Sequence, residues 1–219
     1  MKTRNKALAL SLSAVLLVGA SVFGTMAYLT STDEVNNTFT VGKVALNLDE
    51  ADVKPDGTYE KDINQRVEDG NDYHLMPGHT YIKDPTVTVK KKSELSYIRM
   101  KVTINEQADL DAIFAPDGLP LNTFFEGFDN TKWNYVGDIK DTDNDTRIYE
   151  FRYYKAVEAP DQDVKLEALF QKIKVPETVT GEQLDTIADL NIKVVAEAIQ
   201  ADGFTDANAA WKAFDGNKQ

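Results

Sequence analysis

Apolar and polar residues alternate with a period of two along much of the chain, and this period predicts β-strands. The alternation is clearest in residues 96–104 and in residues 146–153. It places one set of side chains on the buried face of each strand and the other set on the opposite face. The apolar sets are Ile98, Met100, Val102 and Ile104 in the first segment, and Tyr149, Phe151 and Tyr153 in the second.

Four further segments predict strands from less regular patterns. In residues 38–48 the alternation changes phase near Gly42, where one extra residue in a β-bulge would account for the slip. Residues 86–90 and 166–175 are short apolar runs bounded by prolines. Residues 192–201 contain more apolar residues than alternation requires, and this excess predicts a central strand.

Helical patterns are few and short, and polar turns separate the strands. Residues 106–115, 181–190 and 205–216 predict helices, the last with Thr205 as its N-cap. Turn signals occur at residues 54–57, 68–72, 76–79 and 141–146. Short strands joined in this way predict a mainly β fold, an antiparallel β-sandwich with a few short helices that forms a single domain over residues 39–219.

The first 27 residues have the pattern of a secretory signal peptide. Three basic residues precede an uncharged apolar run at residues 7–23, and the small residues Thr25 and Ala27 follow it. A membrane-spanning helix needs about 20 apolar residues, so this run is short for an anchor. The sequence therefore predicts cleavage between Ala27 and Tyr28 and a secreted protein, with an uncleaved anchor as the alternative.

Composition narrows the classes of partner and chemistry. The chain has 36 acidic and 24 basic residues, a net charge of −12. The predicted leader contains three of the basic residues and no acidic one, so the chain that follows it carries −15. Such a surface repels phosphate backbones, and we expect no nucleic-acid partner. The chain has no cysteine, which excludes thiol catalysis and a disulfide scaffold.

Four stretches of the chain carry a pattern that is informative when they are taken together. In chain order they read GTMAYLTSTDEVNNTFTVGKVALNL, LMPGHTYIKDPTVTVKKKSELSYIRMKVTI, YEFRYYKAVEAPDQDVKLEALFQKIKVP and IKVVAEAIQADGF. In this order they resemble the TasA/camelysin family of exported Gram-positive proteins. The resemblance implies a jelly-roll sandwich and a leader processed by a SipW-type signal peptidase. It also implies a place in the extracellular biofilm matrix or at the cell surface, where some members polymerise into fibres. The implied partners are further copies of the chain and other matrix subunits.

In fibre-forming members of this family, the freed N-terminal segment adds as a strand to the next subunit. The resemblance thus implies that residues 28–38 are a flexible assembly segment and a candidate donor strand. Strand addition is physically reasonable because an open sheet edge carries backbone groups that an incoming strand can satisfy. The segment is nevertheless polar, and the side chains near it that could fill apolar pockets are Tyr28, Leu29, Val35 and Phe39.

A camelysin-like metalloprotease is the alternative function that the resemblance brings in. A helical zinc protease needs two histidines four residues apart with a glutamate beside the first. The two histidines of this chain, His74 and His79, are five residues apart and flank a Met-Pro-Gly turn. We therefore predict no catalytic site and no enzyme. A surface-binding module that does not polymerise is the third hypothesis.

The turn at residues 141–146 contains the best candidate for a cofactor site. Asp141, Asp143 and Asp145 have the spacing with which a loop can wrap carboxylate oxygens around Ca²⁺. The loop lacks the glycine and the final acidic residue of an EF-hand, and Asp and Asn also favour ordinary turns. Calcium is the one cofactor that the sequence suggests, with a solvated hairpin turn as the alternative.

Aromatic residues in two predicted strands offer a possible glycan platform. They are Trp133 and Tyr135 in one strand, and Tyr149, Phe151 and Tyr153 in the other. Because they follow the alternation of half-buried strands, we expect most of them to pack in the core.

Overall fold

The computed structural model of the protein describes residues 43–114 and 124–216. The predicted leader, the cleavage site at Ala27 and Tyr28, and the candidate bulge at Gly42 lie outside the described residues. The same holds for the assembly segment and its apolar side chains, which are Tyr28, Leu29, Val35 and Phe39.

Twelve strands and three helices occur within the described ranges. The strands are β1 (Leu46–Ala51), β2 (Arg66–Val67), β3 (Thr80–Ile82), β4 (Thr86–Val89), β5 (Ser93–Ile104), β6 (Phe125–Glu126), β7 (Trp133–Asp141), β8 (Thr146–Tyr153), β9 (Val157–Ala159), β10 (Val164–Lys165), β11 (Lys172–Lys174) and β12 (Ile192–Gln200). The helices are α1 (Gln107–Phe114), α2 (Gly181–Asp185) and α3 (Ala207–Gly216).

The described chain is mainly β, as the sequence predicts, and its named strands pair in antiparallel fashion. One sheet has the order β12-β5-β8-β7, with β9 beside the start of β5. A second sheet has the order β10-β4-β1-β2, and a third has the order β3-β11-β6. This arrangement is consistent with a β-sandwich, and the jelly-roll connection stays a prediction.

One apolar core lies between these sheets, and the alternation in β5 and β8 builds much of it. The even-numbered residues of β5 from Ile98 to Ile104 are buried, as predicted. Tyr149 and Phe151 of β8 are also buried, whereas Tyr153 is half-buried at the end of the strand. The second sheet contributes Val87 and Val89 to the same cluster. Burial of this apolar surface is the main favourable contribution to folding.

The prediction of one strand over residues 166–175 was wrong, because most of this segment is a loop. Within it, the strand is Lys172–Lys174. Leu166, Leu169 and Phe170 are all buried, but their spacing does not alternate. The chain therefore has to turn to bring the three side chains into the core, and a regular strand could not do so.

Among the described strands, β12 lies at an edge of its sheet, which differs from the prediction of a central strand. Val194, Ala196 and Ala198 pack against the core. Helix α3 contacts β12 and packs against Arg99 of β5, whose side chain leaves the other face of the sheet. The outer face of β12 is covered only in part, since Ile199 is half-buried and Val195 is exposed.

The helices lie near their predicted positions, with differences at their ends. Over residues 181–190 the helix ends at Asp185, after a start that Thr180 caps. In α3 the capping residue is Asp206 and not Thr205, since Asp206 Oδ1 accepts a hydrogen bond of 2.9 Å from the N–H of Ala209. The helices of the described chain are all too short or too polar to cross a bilayer.

Candidate functional site

Among the strands that the structure describes, β12 has the longest regular edge with pairing on one side. β12 pairs with β5 over nine consecutive residues, from Ile192 opposite Ile104 to Gln200 opposite Ser96, without a register shift. Within residues 43–114 and 124–216, no strand forms a ladder with its other side. An edge of this kind presents a row of backbone donors and acceptors to an additional strand.

Hydrogen bonds at the two ends of the ladder show which backbone groups face outwards. The N–H of Asn105 donates to the carbonyl of Asn191, and the N–H of Ala201 donates to the carbonyl of Leu95. Residues that exchange hydrogen bonds in an antiparallel pair alternate with residues that do not. The odd-numbered residues of β12 therefore bond to β5, and the backbone groups of the even-numbered residues point to the other side.

A groove lies on that side, between the start of β12 and the hairpin of β1 and β2. One cavity of about 310 Å³ is lined by Leu48–Glu50, Val67–Gly70 and Asn191–Val194. A second cavity of about 440 Å³ lies between the loop after β2, helix α2 and the start of β12. Both cavities are lined by Lys83, Asn191 and Ile192, so they adjoin, and we call the two together the groove.

A buried ion pair lies where the two cavities adjoin. Lys83 Nζ donates to Glu50 Oε2 at 2.7 Å, and both residues are 6% exposed. Asn71 Nδ2 donates to Glu50 Oε1 at 2.8 Å and to the carbonyl of Ala51 at 2.9 Å. The ammonium also lies 5.5 Å from the centre of the Tyr73 ring. Charges taken out of water need such partners, because their desolvation is costly.

Two tyrosines position the loop that forms one wall of the groove. Burial raises the pKa of Tyr73, and the negative charge of Glu50 raises it further, so its hydroxyl stays protonated. That hydroxyl donates to the carbonyl of Ile82 at 3.0 Å. The Tyr81 hydroxyl donates to the carbonyl of His74 and accepts from the N–H of Met76, each at 2.7 Å. Both phenols therefore act as structural hydrogen-bond donors.

Arg66 fixes the opposite wall by joining β1 and β2 to the segment before β4. Its Nε donates to Asp49 Oδ1 at 2.7 Å, and its Nη1 is paired with Asp84. Burial alone would lower the pKa of Arg66, but its hydrogen bonds to Asp84 and Asp49 outweigh burial and raise it. The guanidinium therefore stays charged and holds the hairpin beside the groove.

The two histidines are exposed, and only His74 is among the residues that line the groove. His74 lines the larger cavity, and His79 Nδ1 lies 3.0 Å from the carbonyl oxygen of Pro77. Among the residues that the structure describes, no group of three or more His, Asp or Glu side chains could hold a metal ion.

The carboxylates of the candidate calcium turn bond to backbone groups nearby. Asp141 Oδ1 accepts hydrogen bonds from the N–H groups of Asp143 and Asn144, at 3.1 and 3.2 Å. The Asn144 side chain also bonds to Asp141, and these contacts lower the pKa of the Asp141 carboxyl. Asp145 Oδ1 instead accepts from the N–H of Ala108 in the first turn of α1, at 3.0 Å. The structure thus does not bring Asp141, Asp143 and Asp145 together as ligands, and calcium binding stays a prediction.

Most of the candidate glycan platform is in the core. Trp133, Tyr149 and Phe151 are buried, as expected for packing residues. The Trp133 indole N–H donates to the carbonyl of Glu167 at 2.9 Å, which satisfies its polar atom inside the protein. A glycan could therefore not stack on these three rings.

A second buried charge cluster, which the sequence did not predict, lies on the other face of β5. The Arg99 side chain is fully buried, and its Nε donates to Glu197 Oε2 of β12 at 2.6 Å. Its two terminal nitrogens bond to both carboxylate oxygens of Asp215 of α3, at 2.5 and 2.9 Å. Burial would lower the pKa of Arg99, but the hydrogen bonds to Asp215 and Glu197 raise it.

Aromatic rings of α3 complete this cluster. The Arg99 guanidinium lies 4.3 Å from the centre of the Trp211 ring and 5.2 Å from that of Phe214. The spacing of Trp211, Phe214 and Asp215 puts them on one face of the helix, which is the signal in the sequence that could have indicated this packing. The cluster ties β5, β12 and α3 together and fixes β12 at the edge of the sheet.

Fold and groove together define the class: a mainly β, antiparallel protein with a regular strand edge beside a groove. Comparisons of the chain with protein-family models, with curated proteins and with solved structures found no match. Function is therefore argued from the residues and their arrangement.

Proposed function

We propose that the protein is a secreted structural protein of an extracellular matrix, and that it forms fibres by adding its N-terminal segment to the next copy as a strand. Two sequence features support export and assembly, namely the signal-peptide pattern of residues 1–27 and the resemblance to the TasA/camelysin family. The structural observation that carries the proposal is the regular edge of β12 beside the groove.

Strand addition at β12 would use backbone hydrogen bonds. The outward groups of Ile192, Val194, Ala196, Ala198 and Gln200 offer the donors and acceptors that an antiparallel or parallel partner needs. In recognition by strand addition, these main-chain bonds supply affinity, and pockets beside the edge supply specificity. The groove beside the first residues of β12 would be the source of that specificity.

The chain before the described region is long enough to reach a second molecule. Lys43 forms a parallel bridge with Ser93, and its carbonyl accepts a hydrogen bond of 3.0 Å from the N–H of Glu94. Lys43, the first described residue, therefore lies beside the start of β5, and fifteen residues separate it from the predicted cleavage site. An extended chain of this length spans about 50 Å, which exceeds the length of β12.

Electron microscopy of the secreted chain tests the proposal. We expect fibres from the chain that starts at Tyr28, and no fibres after deletion of residues 28–38. A matched control replaces the same residues by a Gly/Ser segment of equal length, and we expect it to fail as well, since it lacks side chains for the groove. Unchanged filaments after the deletion would contradict strand addition.

A further inference from the structure

Three side chains with complementary reactivity meet at Glu50, beside the groove. Lys83 Nζ donates to Glu50 Oε2 at 2.7 Å, and Asn71 Nδ2 donates to Glu50 Oε1 at 2.8 Å. Lys83 and Glu50 are each 6% exposed. An amine is a nucleophile, the carbon of a carboxamide is an electrophile, and a carboxylate that contacts both groups can carry protons between them. The arrangement therefore contains the parts that an amide bond between two side chains requires.

Backbone groups of β1 and the segment after it hold the Asn71 amide in one orientation. Asn71 Oδ1 accepts a hydrogen bond of 3.0 Å from the N–H of Val53, and Nδ2 donates a second bond, of 2.9 Å, to the carbonyl of Ala51. The nitrogen of the amide therefore faces Glu50, and its oxygen faces a donor. That donor stabilises the negative charge that develops on Oδ1 when a nucleophile adds to Cγ.

We propose that Lys83 and Asn71 join through an amide bond between their side chains, with Glu50 as the proton carrier. Glu50 takes one proton from the Lys83 ammonium, and the lone pair of the resulting amine attacks Asn71 Cγ to form a new C–N bond. Glu50 passes this proton to Asn71 Nδ2, the Cγ–Nδ2 bond breaks, and ammonia leaves with the bonding electron pair. The attacking nitrogen gives its second proton to Glu50, which ends as a neutral carboxylic acid.

Burial favours this reaction because it removes two charges from the protein interior. The ammonium and the carboxylate are replaced by a neutral amide and a neutral acid, whereas an ion pair out of water carries a large desolvation cost. The Tyr73 ring, whose centre lies 5.5 Å from Lys83 Nζ, contributes to this apolar surrounding. Asn71 and Lys83 both line the larger cavity, which gives the released ammonia a route to solvent.

A similar set of groups near α1 lacks the burial and serves as an internal comparison. Gln107 Nε2 donates to Asp111 Oδ1 at 2.5 Å, and Lys140 Nζ lies 3.4 Å from Asp111 Oδ2. The Lys140 side chain is 50% exposed, so water solvates its ammonium, and Arg147 also pairs with Asp111. We expect no amide bond between Lys140 and Gln107.

The proposed bond would act as a covalent crosslink in a chain that has no cysteine. It would join the loop after β2 to the residue that follows β3, and so close a loop over residues 71–83. A crosslink of this kind stabilises the fold mainly by restricting the unfolded chain, as a disulfide does. Unlike a disulfide, an amide bond is not broken by reducing agents.

Mass spectrometry of the purified secreted chain tests the bond directly. We expect an intact mass below that of the sequence by about 17 Da, the mass of the ammonia that leaves. An acylated lysine also resists trypsin, so residues 67–90 should be recovered as one peptide with the same deficit. Chymotrypsin cuts this peptide after Tyr73 and Tyr81, and the fragments that contain Asn71 and Lys83 should stay joined. A full intact mass and normal cleavage after Lys83 would overturn the proposal.

A double variant separates the crosslink from loss of ammonia by Asn71 alone, which a cyclic imide with its own backbone would also produce. Lys83→Met/Glu50→Gln keeps Asn71 and removes both charges together, and we expect it to have the full mass of its sequence. A deficit that persists in this variant would overturn the proposal. Lys174 and Glu126 form an exposed ion pair of 3.1 Å outside the groove, so Lys174→Met/Glu126→Gln is the matched control and should keep the deficit.

The single variant Glu50→Gln tests the proton carrier, because it keeps both reacting groups and removes the base. We expect it to have the full mass of its sequence, and thermal unfolding shows whether it is folded. A folded Glu50→Gln variant that still lacks ammonia would contradict the role of Glu50. If the variant does not fold, the intact mass and the peptides of the unchanged protein still decide whether the bond forms.

Discussion

The two outer strands of the five-stranded sheet, β7 and β12, differ in the regularity and charge of their outer edges. In β7 the register shifts between Tyr135 and Gly137, so a β-bulge interrupts the edge. Charged residues follow the bulge, at Asp138, Lys140 and Asp141. β12 keeps one register over its whole length and is mostly apolar. Bulges and edge charges are the devices by which proteins prevent sheets from pairing with other chains.

This contrast bears on function because both strands belong to one sheet. The hazard of unwanted pairing is the same at each edge, yet β7 has a bulge with charged residues beyond it, whereas β12 has no register shift and two charged residues in its ladder, Lys193 and Glu197. Glu197 is paired with Arg99. Arg99 and α3 also hold β12 from the outer face, which keeps its edge regular. The difference supports strand addition at β12 and makes β7 the internal control for every test of it.

Replacement of Arg99 should have the largest effect, since it removes the support of β12. Arg99→Met takes the guanidinium from between Glu197 and Asp215, and loss of one partner from a buried ion cluster typically costs about 3–5 kcal/mol. Lys101→Met is the matched control: Lys101 lies 3.9 Å from the same two acids, but its side chain is 30% exposed. We expect it to cost less than about 1 kcal/mol. Urea denaturation measures both, and equal costs would show that the cluster does not support β12.

Proline substitutions at two neighbouring positions of β12 should distinguish the role of its paired side from that of its outward side. The N–H of Val195 bonds to β5, so Val195→Pro should lower the free energy of unfolding by about 1–3 kcal/mol. The N–H of Ala196 faces the groove side, and Ala196→Pro should cost clearly less while it abolishes fibres. Urea denaturation measures the stability of the two proline variants, and electron microscopy shows whether each forms fibres. Normal fibres from Ala196→Pro would exclude this edge as the acceptor.

The alternation of residues along the chain was sufficient to predict the central strands. β5 and β8 alternate because one face is buried, and that requirement is local, so Ile98 or Phe151 can be placed from neighbouring residues alone. The same pattern placed Arg99 on the outer face, where a charged residue suggests solvent. Nothing in β5 indicates that Asp215, 116 positions later, returns to cover it.

The groove could not be predicted for the same physical reason. Lys83 and Glu50 are 33 positions apart, and each occurs in a segment where a charged residue would normally be solvated. Their pairing depends on how the sheets pack, as does the position of β12 at an edge. The apolar composition of a strand indicates that its side chains pack against other elements, but it does not indicate which strands lie beside it.

Acid should remove the stabilisation that the ionised Asp138 carboxylate provides in β7. Its hydrogen bond to Arg147 at 2.7 Å, with a second from Tyr135, holds the pKa of the Asp138 carboxyl below its usual value of about 3.9. A carboxyl with a lowered folded-state pKa stabilises the fold above the unfolded-state pKa, and this stabilisation is lost as pH falls through the folded-state value. Asp138→Asn should therefore be less stable than the unchanged protein at pH 7, and the difference should shrink below about pH 4. Denaturation at both pH values measures this, and a difference that stays constant would contradict the linkage.

Substitution of Ile139 should have the smallest effect on stability and assembly. It tests the β7 edge directly against the β12 edge. Ile139 lies on β7 beyond the bulge and is 69% exposed, so Ile139→Thr removes little buried surface. We expect its free energy of unfolding to stay within about 0.5 kcal/mol of the unchanged protein. We also expect normal fibres, because a bulged and charged edge is not the one that accepts a strand. If Ile139→Thr disturbed assembly as strongly as Ala196→Pro, copies would meet at β7 as well, and the two edges would not differ in function.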